Sequence, residues 1–378
     1  MTITNPQFVL AVTGGGSGTI GNLLEVGGAS SWFLEGLIPY SKKSLDDFLG
    51  FEPEKYTSAR TARQMAMKAY KRAIELGSKP TDAVGIGSTA TLSRIENERK
   101  GRQHVAHVAI QSLGITEVAS FSFLESRNRI AEERILSNII QHTIYHIQNK
   151  GFKPDIYLSD TERKSIVTQR ETDVNSLSDV MFSNKRNYKI VLSPTDTKFL
   201  GAGSIIFPGS FNPIHAGHTD IVKRVFKEKK QPVFLEICLL NVDKPPIDFI
   251  DIYERLREIK MYPDPEFQEA LAGVIISDTP KFYDKVWQFP TSTYIVGVDT
   301  LNRLFDEKYG SVQKLLDLIK DTNSKFLVSR RPGYEVKIHP KYDFNLFYLE
   351  HHFKFLDGDG ESLSSSAIRK SRREYVRD

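Results

Sequence analysis

At 378 residues the chain is longer than the ~250–300 residues over which one hydrophobic core usually extends, so its length predicts two domains. Hydrophobic residues make up 40% and charged residues 26%, the balance of an ordinary soluble protein. The 51 Lys and Arg residues exceed the 47 Asp and Glu residues by only four, which gives no reason to expect a nucleic acid or a membrane surface as a partner.

The N-terminal region alternates predicted strands with predicted helices. It opens without a basic segment followed by a long apolar stretch, so we expect neither a signal peptide nor a transmembrane span, and a cytoplasmic location. Apolar runs and helical spacing of apolar residues give strands at 8–12, 30–38, 83–87 and 104–110, and helices at 58–77 and 130–147. This alternation predicts an α/β domain over residues 1–159.

Residues 160–202 differ in composition from the regions on either side. Charged residues, Ser and Thr dominate, apolar residues are sparse, and only 188–192 has the apolar character of a strand. Such a composition predicts a linker with one short strand.

Residues 203–378 alternate again and predict a second α/β domain. The predicted strands are 204–207, 233–240, 274–277, 293–298 and 325–329, and the predicted helices are 217–229 and one with Ile252, Leu256 and Ile259 on one face. Because the apolar runs are continuous rather than alternating, we expect a doubly wound, Rossmann-like parallel sheet with its site at the carboxyl ends of the strands. The single cysteine, Cys238, lies in one of these runs, which predicts a buried thiol and excludes a disulfide within the chain.

The segment that follows the predicted strand 204–207 has the features of a phosphate site. It reads Pro208-Gly-Ser-Phe-Asn-Pro-Ile-His-Ala-Gly-His218. Gly209 lets the main chain approach a ligand closely, and the N-terminal amides of the next helix attract anions. His215 and His218 can both donate hydrogen bonds to a phosphate whose charge grows as a bond forms at phosphorus. From the residues alone, a metal-binding pair or two capping residues remain alternatives.

This segment resembles the signature of the nucleotidyltransferase superfamily that carries His-x-Gly-His. A second signature of that superfamily, Ser-Ser-Thr-x-Ile-Arg, is similar to Ser364-Ser365-Ser366-Ala367-Ile368-Arg369. The resemblance implies direct displacement, in which an acceptor phosphate attacks the α-phosphorus of an NTP and pyrophosphate leaves. It implies catalytic roles for His215, His218 and Arg369, nucleotide contacts for Gly209, Ser210, Phe211, Ser364, Ser365 and Ser366, and Mg²⁺ bound with ATP.

Three further segments resemble the branch of the superfamily that builds dinucleotides from nicotinamide or nicotinate mononucleotide. They are Lys244-Pro-Pro with Arg255 eleven residues on, Ile295-Val-Gly-Val-Asp-Thr-Leu301, and Phe326-Leu-Val-Ser-Arg-Arg-Pro-Gly-Tyr334. The resemblance implies nucleotide contacts for Lys244, Arg255, Gly297 and Asp299, with ATP and a phosphorylated small molecule as substrates. A solvated helix face for Arg255 and a helix cap for Asp299 are the alternatives.

The acceptor is less defined than the chemistry, because the branch's Ser-Tyr-Thr stretch is absent and residues 278–283 stand in its place. That stretch shapes the pyridine-nucleotide pocket in the family. A cytidylyltransferase for another phosphorylated metabolite, a phosphopantetheine adenylyltransferase and a non-catalytic nucleotide-binding protein therefore stay open.

The N-terminal domain resembles the C-terminal domain of competence-damage-inducible protein A, the nicotinamide-mononucleotide amidohydrolase family. The matching segments are Val12-Thr-Gly-Gly15, Ser30-Ser-Trp-Phe-Leu-Glu-Gly-Leu-Ile-Pro-Tyr-Ser41 and Phe123-Leu-Glu-Ser-Arg127. They imply a pocket with Thr13, Gly14, Gly15, Tyr40 and Arg127. Ala11 stands where the family has its serine nucleophile, so we expect a ligand-binding or dimer-forming domain rather than an amidohydrolase. Ser17, Ser88 and Thr89 stay open as substitutes, and a homo-oligomer through this domain is expected.

Overall fold

The computed structural model describes residues 3–94, 102–149, 157–182, 187–194, 200–240, 247–330, 335–336 and 351–356. Its contacts divide the chain into two units, one of Met1–Ser178 and Asp243–Asp251 and the other of Asp179–Val242 and Ile252–Asp378. Each unit has its own β-sheet. Within the described ranges, no helix is both long enough and apolar enough to cross a lipid bilayer.

In the described part of the first unit, six strands form one mixed sheet. The strands are β1 (Gln7–Thr13), β2 (Phe33–Leu37), β3 (Ala83–Thr91), β4 (His104–Ser112), β5 (Ile115–Phe123) and β6 (Val167–Thr172). The helices are α1 (Gly18–Leu24), α2 (Lys42–Leu49), α3 (Ala59–Glu75), α4 (Arg129–Ile147) and α5 (Asp160–Lys164), with a 3₁₀ turn at Ala29–Ser31. The short helix α6 (Ser178–Met181) begins at the last residue of this unit and continues in the second. The order is β2-β1-β3-β4-β5-β6, parallel from β2 to β3 and antiparallel from β3 to β6.

Both faces of β1 are covered, which explains the continuous apolar run in its sequence. Leu10 belongs to one core cluster with Leu136 and Ile140 of α4. Ala11, the next residue, points to the opposite face and packs with Met65 of α3. Because successive side chains of a strand alternate between faces, a strand buried on both sides shows no polar alternation.

The predicted linker 160–202 contains more regular structure than one short strand. Its described residues include α5, β6, α6 and strand β7 (Tyr188–Val191). Strand β6 is exposed along most of its length and carries Thr, Gln, Arg and Glu side chains. An edge strand open to solvent on both faces needs no apolar alternation, so its composition resembles that of a loop. Helix α5 is only five residues long and is closed by a capping box between Ser159 and Glu162.

Glu162 is a buried carboxylate that ties α5 to the end of β5. It accepts main-chain N–H groups from Leu124, Glu125 and Ser159 and pairs with the Arg127 guanidinium. Burial by itself raises the pKa of Glu162, but these hydrogen bonds together outweigh it and lower the pKa to about 2. Arg127, which the sequence predicts at a ligand pocket, is therefore engaged in an internal ion pair.

We expect Glu162→Gln to reduce the acid sensitivity of the first unit. The folded-state pKa lies below the ordinary 4.5, so the carboxylate contributes stability that is present above that pH and is lost as the pH falls toward 2. Linkage gives this contribution a size of about 3 kcal/mol. Urea unfolding followed by Trp32 emission in a Trp287→Phe background should show a deficit in stability for Glu162→Gln at pH 7 that shrinks at pH 3. Asp160→Asn, an exposed change on the same helix, is the control, and an unchanged pH dependence in Glu162→Gln would contradict the assignment.

In the described part of the second unit, seven strands form the other sheet. After β7 come β8 (Ile205–Pro208), β9 (Val233–Cys238), β10 (Leu271–Ser277), β11 (Thr293–Gly297), β12 (Lys325–Ser329) and β13 (Phe353–Phe355). The helices are α7 (Ala216–Lys229), α8 (Phe249–Lys260), α9 (Pro265–Ala270), α10 (Phe282–Gln288), α11 (Val298–Leu304) and α12 (Val312–Asp321), with a 3₁₀ turn at Glu307–Tyr309. The first three residues of α8 are counted with the first unit.

The order of these strands confirms the predicted doubly wound sheet. It is β13-β12-β11-β8-β9-β10-β7, and every pair is parallel except β10 with β7. Counted along the chain from β8, the parallel strands lie in the Rossmann order 3-2-1-4-5-6. The winding reverses at β8, between β9 and β11. Ligands of such sheets bind outside the carboxyl ends of the strands at this switch point.

Candidate active site

Two predicted site segments follow the strands on either side of the switch point. The loop 209–215 follows β8, and Gly297 is the last residue of β11, the strand that pairs with β8. Carboxyl ends of parallel neighbours open on the same edge of a sheet. The fold therefore brings segments about 90 residues apart in sequence to one edge, at the place where doubly wound proteins bind nucleotides.

The loop after β8 is packed internally around one phenylalanine. Phe211 is completely buried, and its ring lies edge-on to Phe207 and His218 at centroid distances of 5.5 and 5.0 Å. A Cβ atom at Gly209 would lie 2.6 Å from that ring. The N–H of Gly209 donates to the main-chain oxygen of Glu236 on β9 at 2.9 Å. Packing against the Phe211 ring therefore favours glycine at position 209. The sequence had suggested a different reason, the close approach of a ligand.

His215 and His218 form a stacked pair at the start of α7. Their ring centroids are 3.7 Å apart with an interplanar angle of 29°. His215 is the extended residue that precedes the helix, and it is 7% exposed, whereas His218 lies in the first turn and is half-buried. Two adjacent imidazoles beside the positive end of a 14-residue helix can direct hydrogen-bond donors at one phosphate group.

Arg255 is buried beneath this loop rather than lying on a solvated helix face. It is 6% exposed, and its guanidinium donates to the main-chain oxygen of Ser210 at 3.1 Å. Ser210 itself is exposed. The predicted nucleotide contact of Arg255 stays a prediction, and its hydrogen bond to Ser210 gives the residue a role in holding the loop.

Gly297 and Asp299 lie at the junction of β11 and α11. Gly297 precedes the helix, and a Cβ atom there would lie 2.6 Å from Oδ1 of Asp299. Asp299 is half-buried in the first turn, where a carboxylate interacts favourably with the helix dipole. The absence of a side chain at position 297 therefore leaves room for the Asp299 carboxylate.

Five predicted site residues lie outside the described residues: Lys244, Ser364, Ser365, Ser366 and Arg369. Their implied roles in holding the β- and γ-phosphates stay predictions. The segment 278–283, which stands where the resembled branch has its Ser-Tyr-Thr stretch, contacts the neighbouring edge strand. Asp278 accepts the N–H of Asn187 at 3.1 Å and so helps to anchor the start of β7.

A buried charged cluster between β9, β10 and α10 was not predicted from the sequence. Lys285 of α10 donates to Glu236 at 2.5 Å, and the side chains are 5% and 1% exposed. The hydroxyl of Ser277 donates to the same carboxylate, and Thr279 donates to Ser277 at 3.2 Å. The one sequence feature that could have indicated this cluster is the single carboxylate, Glu236, inside the apolar run 233–240. The neighbouring Cys238 is half-buried rather than fully buried as predicted, because it is the last residue of β9. Burial still raises the pKa of its thiol to about 11.

The first unit has a cavity of about 430 Å³ at the carboxyl ends of β1 and β3. Of the residues predicted there, Thr13, Gly14 and Tyr40 line it, whereas Gly15 and Arg127 do not. Four basic side chains outside the predicted motifs also line it: Lys42, Arg94, Arg102 and Arg129. No acidic residue lines the cavity within the described ranges. Arg129 also donates to the main-chain oxygens of Gly14 and Ser93.

The glycine-rich turn after β1 binds an internal carboxylate. Glu133 accepts the N–H groups of Gly16 and Gly18 at 2.7 and 3.2 Å, and the hydroxyl of Ser17 at 3.1 Å. A Cβ atom at Gly15 would lie 2.9 Å from the same carboxylate. The main-chain donors that would attract a phosphate here are therefore already used by Glu133.

The residue at the family's nucleophile position is enclosed in the core. Ala11 is completely buried in a cluster with Leu45, Leu49 and Met65, and it does not line the cavity. Of the hydroxyls considered as substitutes, Ser88 is completely buried and does not line it either. Thr89 lines the cavity, and its hydroxyl donates to the main-chain oxygen of Tyr56 at 2.8 Å.

The second unit thus combines a Rossmann-ordered sheet with a stacked pair of imidazoles at its switch point. Residues 206–371 match the family model described as cytidylyltransferase-like. The matched part of the second unit is accordingly a cytidylyltransferase-like domain, which assigns nucleotidyl-transfer chemistry to this part of the chain.

Solved structures similar to this chain include an adenylyltransferase and two competence-damage proteins. Nicotinic acid mononucleotide adenylyltransferase of Plasmodium falciparum complexed with NaAD is 18% identical, covers 45% of this chain and 83% of its own, and has a TM-score of 0.32. A competence/damage inducible protein of Agrobacterium tumefaciens is 18% identical, covers 38% and 86%, and has a TM-score of 0.31. A competence-damaged protein superfamily member from Enterobacter cloacae is 17% identical, covers 39% and 83%, and has a TM-score of 0.31.

Proposed function

We propose that the protein transfers AMP from ATP to nicotinamide or nicotinate mononucleotide and releases pyrophosphate, a step of NAD biosynthesis. The observation that carries the proposal is the stacked pair of His215 and His218 at the start of α7, beside the switch point of the sheet. The cytidylyltransferase-like match supports the transfer chemistry. The resemblance of the segments around Arg255 and Asp299 to the pyridine-nucleotide branch supports the acceptor.

The proposed reaction is a single displacement at phosphorus. A phosphate oxygen of the acceptor forms a bond to the α-phosphorus of ATP as the bond to the β-phosphate's bridging oxygen breaks, and that oxygen leaves with pyrophosphate. His215 and His218 donate to the α-phosphate oxygens as negative charge accumulates on them. The site holds both reactants in line, so binding and orientation supply much of the acceleration.

Mg²⁺ would enter this site with the triphosphate of ATP. The described residues hold no cluster of three His, Cys, Asp or Glu side chains around one point. We propose phosphate oxygens and water as its main ligands, the arrangement that Mg²⁺ commonly takes with nucleotides. The ion would neutralise charge on the phosphates during the transfer.

A substrate panel with pyrophosphate readout tests the proposal. ATP and CTP are each combined with Mg²⁺ and with nicotinamide mononucleotide, nicotinate mononucleotide or phosphopantetheine. The proposal expects turnover with ATP and at least one pyridine mononucleotide. Turnover restricted to CTP, or to a different acceptor, would replace the proposed substrates while leaving the transfer chemistry in place.

We further infer that the first unit binds a phosphorylated small molecule without hydrolysing it. The cavity at the ends of β1 and β3 is lined by Lys42, Arg94, Arg102 and Arg129 and by several hydroxyl groups, a combination that suits a phosphate ester. Ala11 provides no nucleophile, since a methyl group cannot attack an amide. A homo-oligomer through this unit stays a prediction, and sedimentation of the full chain tests it.

For this cavity we expect Lys42→Met to weaken the binding of nicotinamide mononucleotide about 5- to 10-fold, the loss of one ion–phosphate contact. Lys43→Met is the matched control, because Lys43 is also exposed but pairs with Asp47 at 2.9 Å and does not line the cavity. Calorimetry is done without ATP in a His218→Ala background, and ammonia release is measured in parallel. Equal binding by both variants would contradict the site, and ammonia release would contradict the absence of hydrolysis.

A further inference from the structure

The peptide unit between Ser210 and Phe211 has an orientation that gives Phe211 an unfavourable backbone conformation. Phe211 has a φ angle of +43°, in the left-handed region that large side chains rarely adopt. Its ring is nevertheless completely buried, between Phe207 and His218. Some contact outside Phe211 must therefore make this orientation the stable one.

A simple rotation would relieve the left-handed conformation. Turning a peptide unit by half a turn changes ψ of the residue before it and φ of the residue after it together, which is how two common turn types interconvert. For Phe211 the rotation takes φ from +43° to about 43° − 180° = −137°, an ordinary extended value. The carbonyl oxygen of Ser210 would then point in the opposite direction.

The hydrogen bond from Arg255 opposes that rotation. Its guanidinium reaches the carbonyl oxygen of Ser210 at 3.1 Å from a side chain that is only 6% exposed. A hydrogen bond from a charged donor in a buried environment is stronger than a neutral one in water. Rotation of the peptide would break this bond and remove a buried acceptor from the Arg255 guanidinium.

We propose that Arg255 is a positioning residue for nucleotidyl transfer, which acts through the Ser210 carbonyl and the Phe211 ring on the orientation of His218. This inference rests on the proposed function only in assigning the transfer to the histidine pair. The chain of contacts is direct. Arg255 fixes the peptide, the peptide fixes φ of Phe211, and the Phe211 ring lies 5.0 Å from the His218 ring, which stacks on His215.

The test compares Arg255→Met, which removes the donors but keeps an apolar chain, with Arg255→Lys, which retains a charged donor. Arg257→Met is the matched control, because Arg257 is exposed two residues further along α8. We expect Arg255→Met to lower kcat about 10- to 100-fold with little change in the KM for ATP, because misplacement of a catalytic group affects the transition state most. Arg255→Lys should recover part of kcat, and Arg257→Met should resemble the wild type.

A second readout needs no substrate. The imidazole C2 proton of His218 has a resonance that senses the Phe211 ring, and His218→Gln identifies it by its disappearance. We expect this resonance to shift in Arg255→Met and to remain in place in Arg257→Met. If the wild type is inactive with every nucleotide, the proposed function is rejected. The contact of Arg255 with the loop can still be tested, because the His218 resonance reports on the loop without substrate.

Two results would overturn the inference. One is a lower unfolding temperature in Arg255→Met with kcat and the His218 resonance unchanged, which would make the contact purely structural. The other is a rise in KM for ATP at constant kcat, which would place Arg255 in direct contact with the nucleotide. If Arg255→Met does not fold, the same comparisons are made with Arg255→Lys, for which an intermediate kcat and a smaller shift are expected.

Discussion

Replacement of His218 by alanine is expected to lower kcat for pyrophosphate release by about 10²- to 10³-fold, the usual effect of removing one preorganised donor from a developing negative charge. The imidazole stacks on His215 at 3.7 Å and lies beside the buried Phe211 ring, so its orientation is fixed before substrate binds. A donor that acts mainly in the transition state affects kcat more than the KM for ATP.

The histidine pair also makes a prediction about additivity. If both rings donate to the same phosphate, His215→Ala should have a similar effect, and the double variant should be less impaired than the product of the two single effects. Initial rates at saturating ATP measure all three. His146→Ala is the control, because His146 is exposed and stacks on His142 in the first unit at 6.2 Å. Retention of most of the wild-type kcat in His218→Ala would remove the pair from the reaction.

The second half of the fold could be predicted from the sequence because its strands are buried on both faces. The run 233–240 contains Val233, Phe234 and Leu235, all in the core, so apolar composition alone identifies a covered parallel strand. The short loop between β8 and α7 then fixes where its histidines must lie. Neighbouring elements joined by a short loop leave few arrangements, and the doubly wound order follows from them.

The elements that escaped prediction are those whose stability comes from contacts distant in sequence. Strand β6 pairs with β5 across about 50 residues, and neither face of β6 is covered, so its composition carries little information. The contact beneath the loop 209–215 also joins residues that are distant in sequence. Arg255 meets Ser210 from 45 positions away, and no local pattern distinguishes it from a surface arginine.

The cavity of the first unit illustrates the same limit. Tyr40 could be assigned to it through a family resemblance, whereas Arg94 and Arg102 lie on either side of residues 95–101, outside the predicted motifs. Their convergence depends on the antiparallel pairing of β3 with β4, in which Thr91 is opposite Val105. A basic cluster whose members are brought together by strand pairing cannot be recognised from amino-acid composition.

The buried pair of Glu236 and Lys285 gives the largest expected effect on stability. Either Glu236→Gln or Lys285→Met is expected to destabilise the second unit by about 3–5 kcal/mol, because each leaves its partner as a charge in an environment with almost no water. The pair lies at 2.5 Å, and Ser277 adds a second donor to the carboxylate. Glu236 also accepts the Gly209 N–H through its main chain, so the loss is expected to reach the active-site loop.

The double variant Glu236→Gln/Lys285→Met separates the cost of an isolated charge from the value of the pair. With both charges removed, we expect stability to return to within about 1–2 kcal/mol of the wild type, since desolvation offsets much of the attraction in a buried ion pair. The chain has two tryptophans, Trp32 in the first unit and Trp287 in the second, so urea unfolding in a Trp32→Phe background reports on the second unit alone. Lys281→Met, exposed just before the same helix, should change stability by no more than about 0.5 kcal/mol. If the single variants are as stable as that control, water reaches the ion pair. If the double variant is less stable than both single variants, packing rather than charge holds α10 in place.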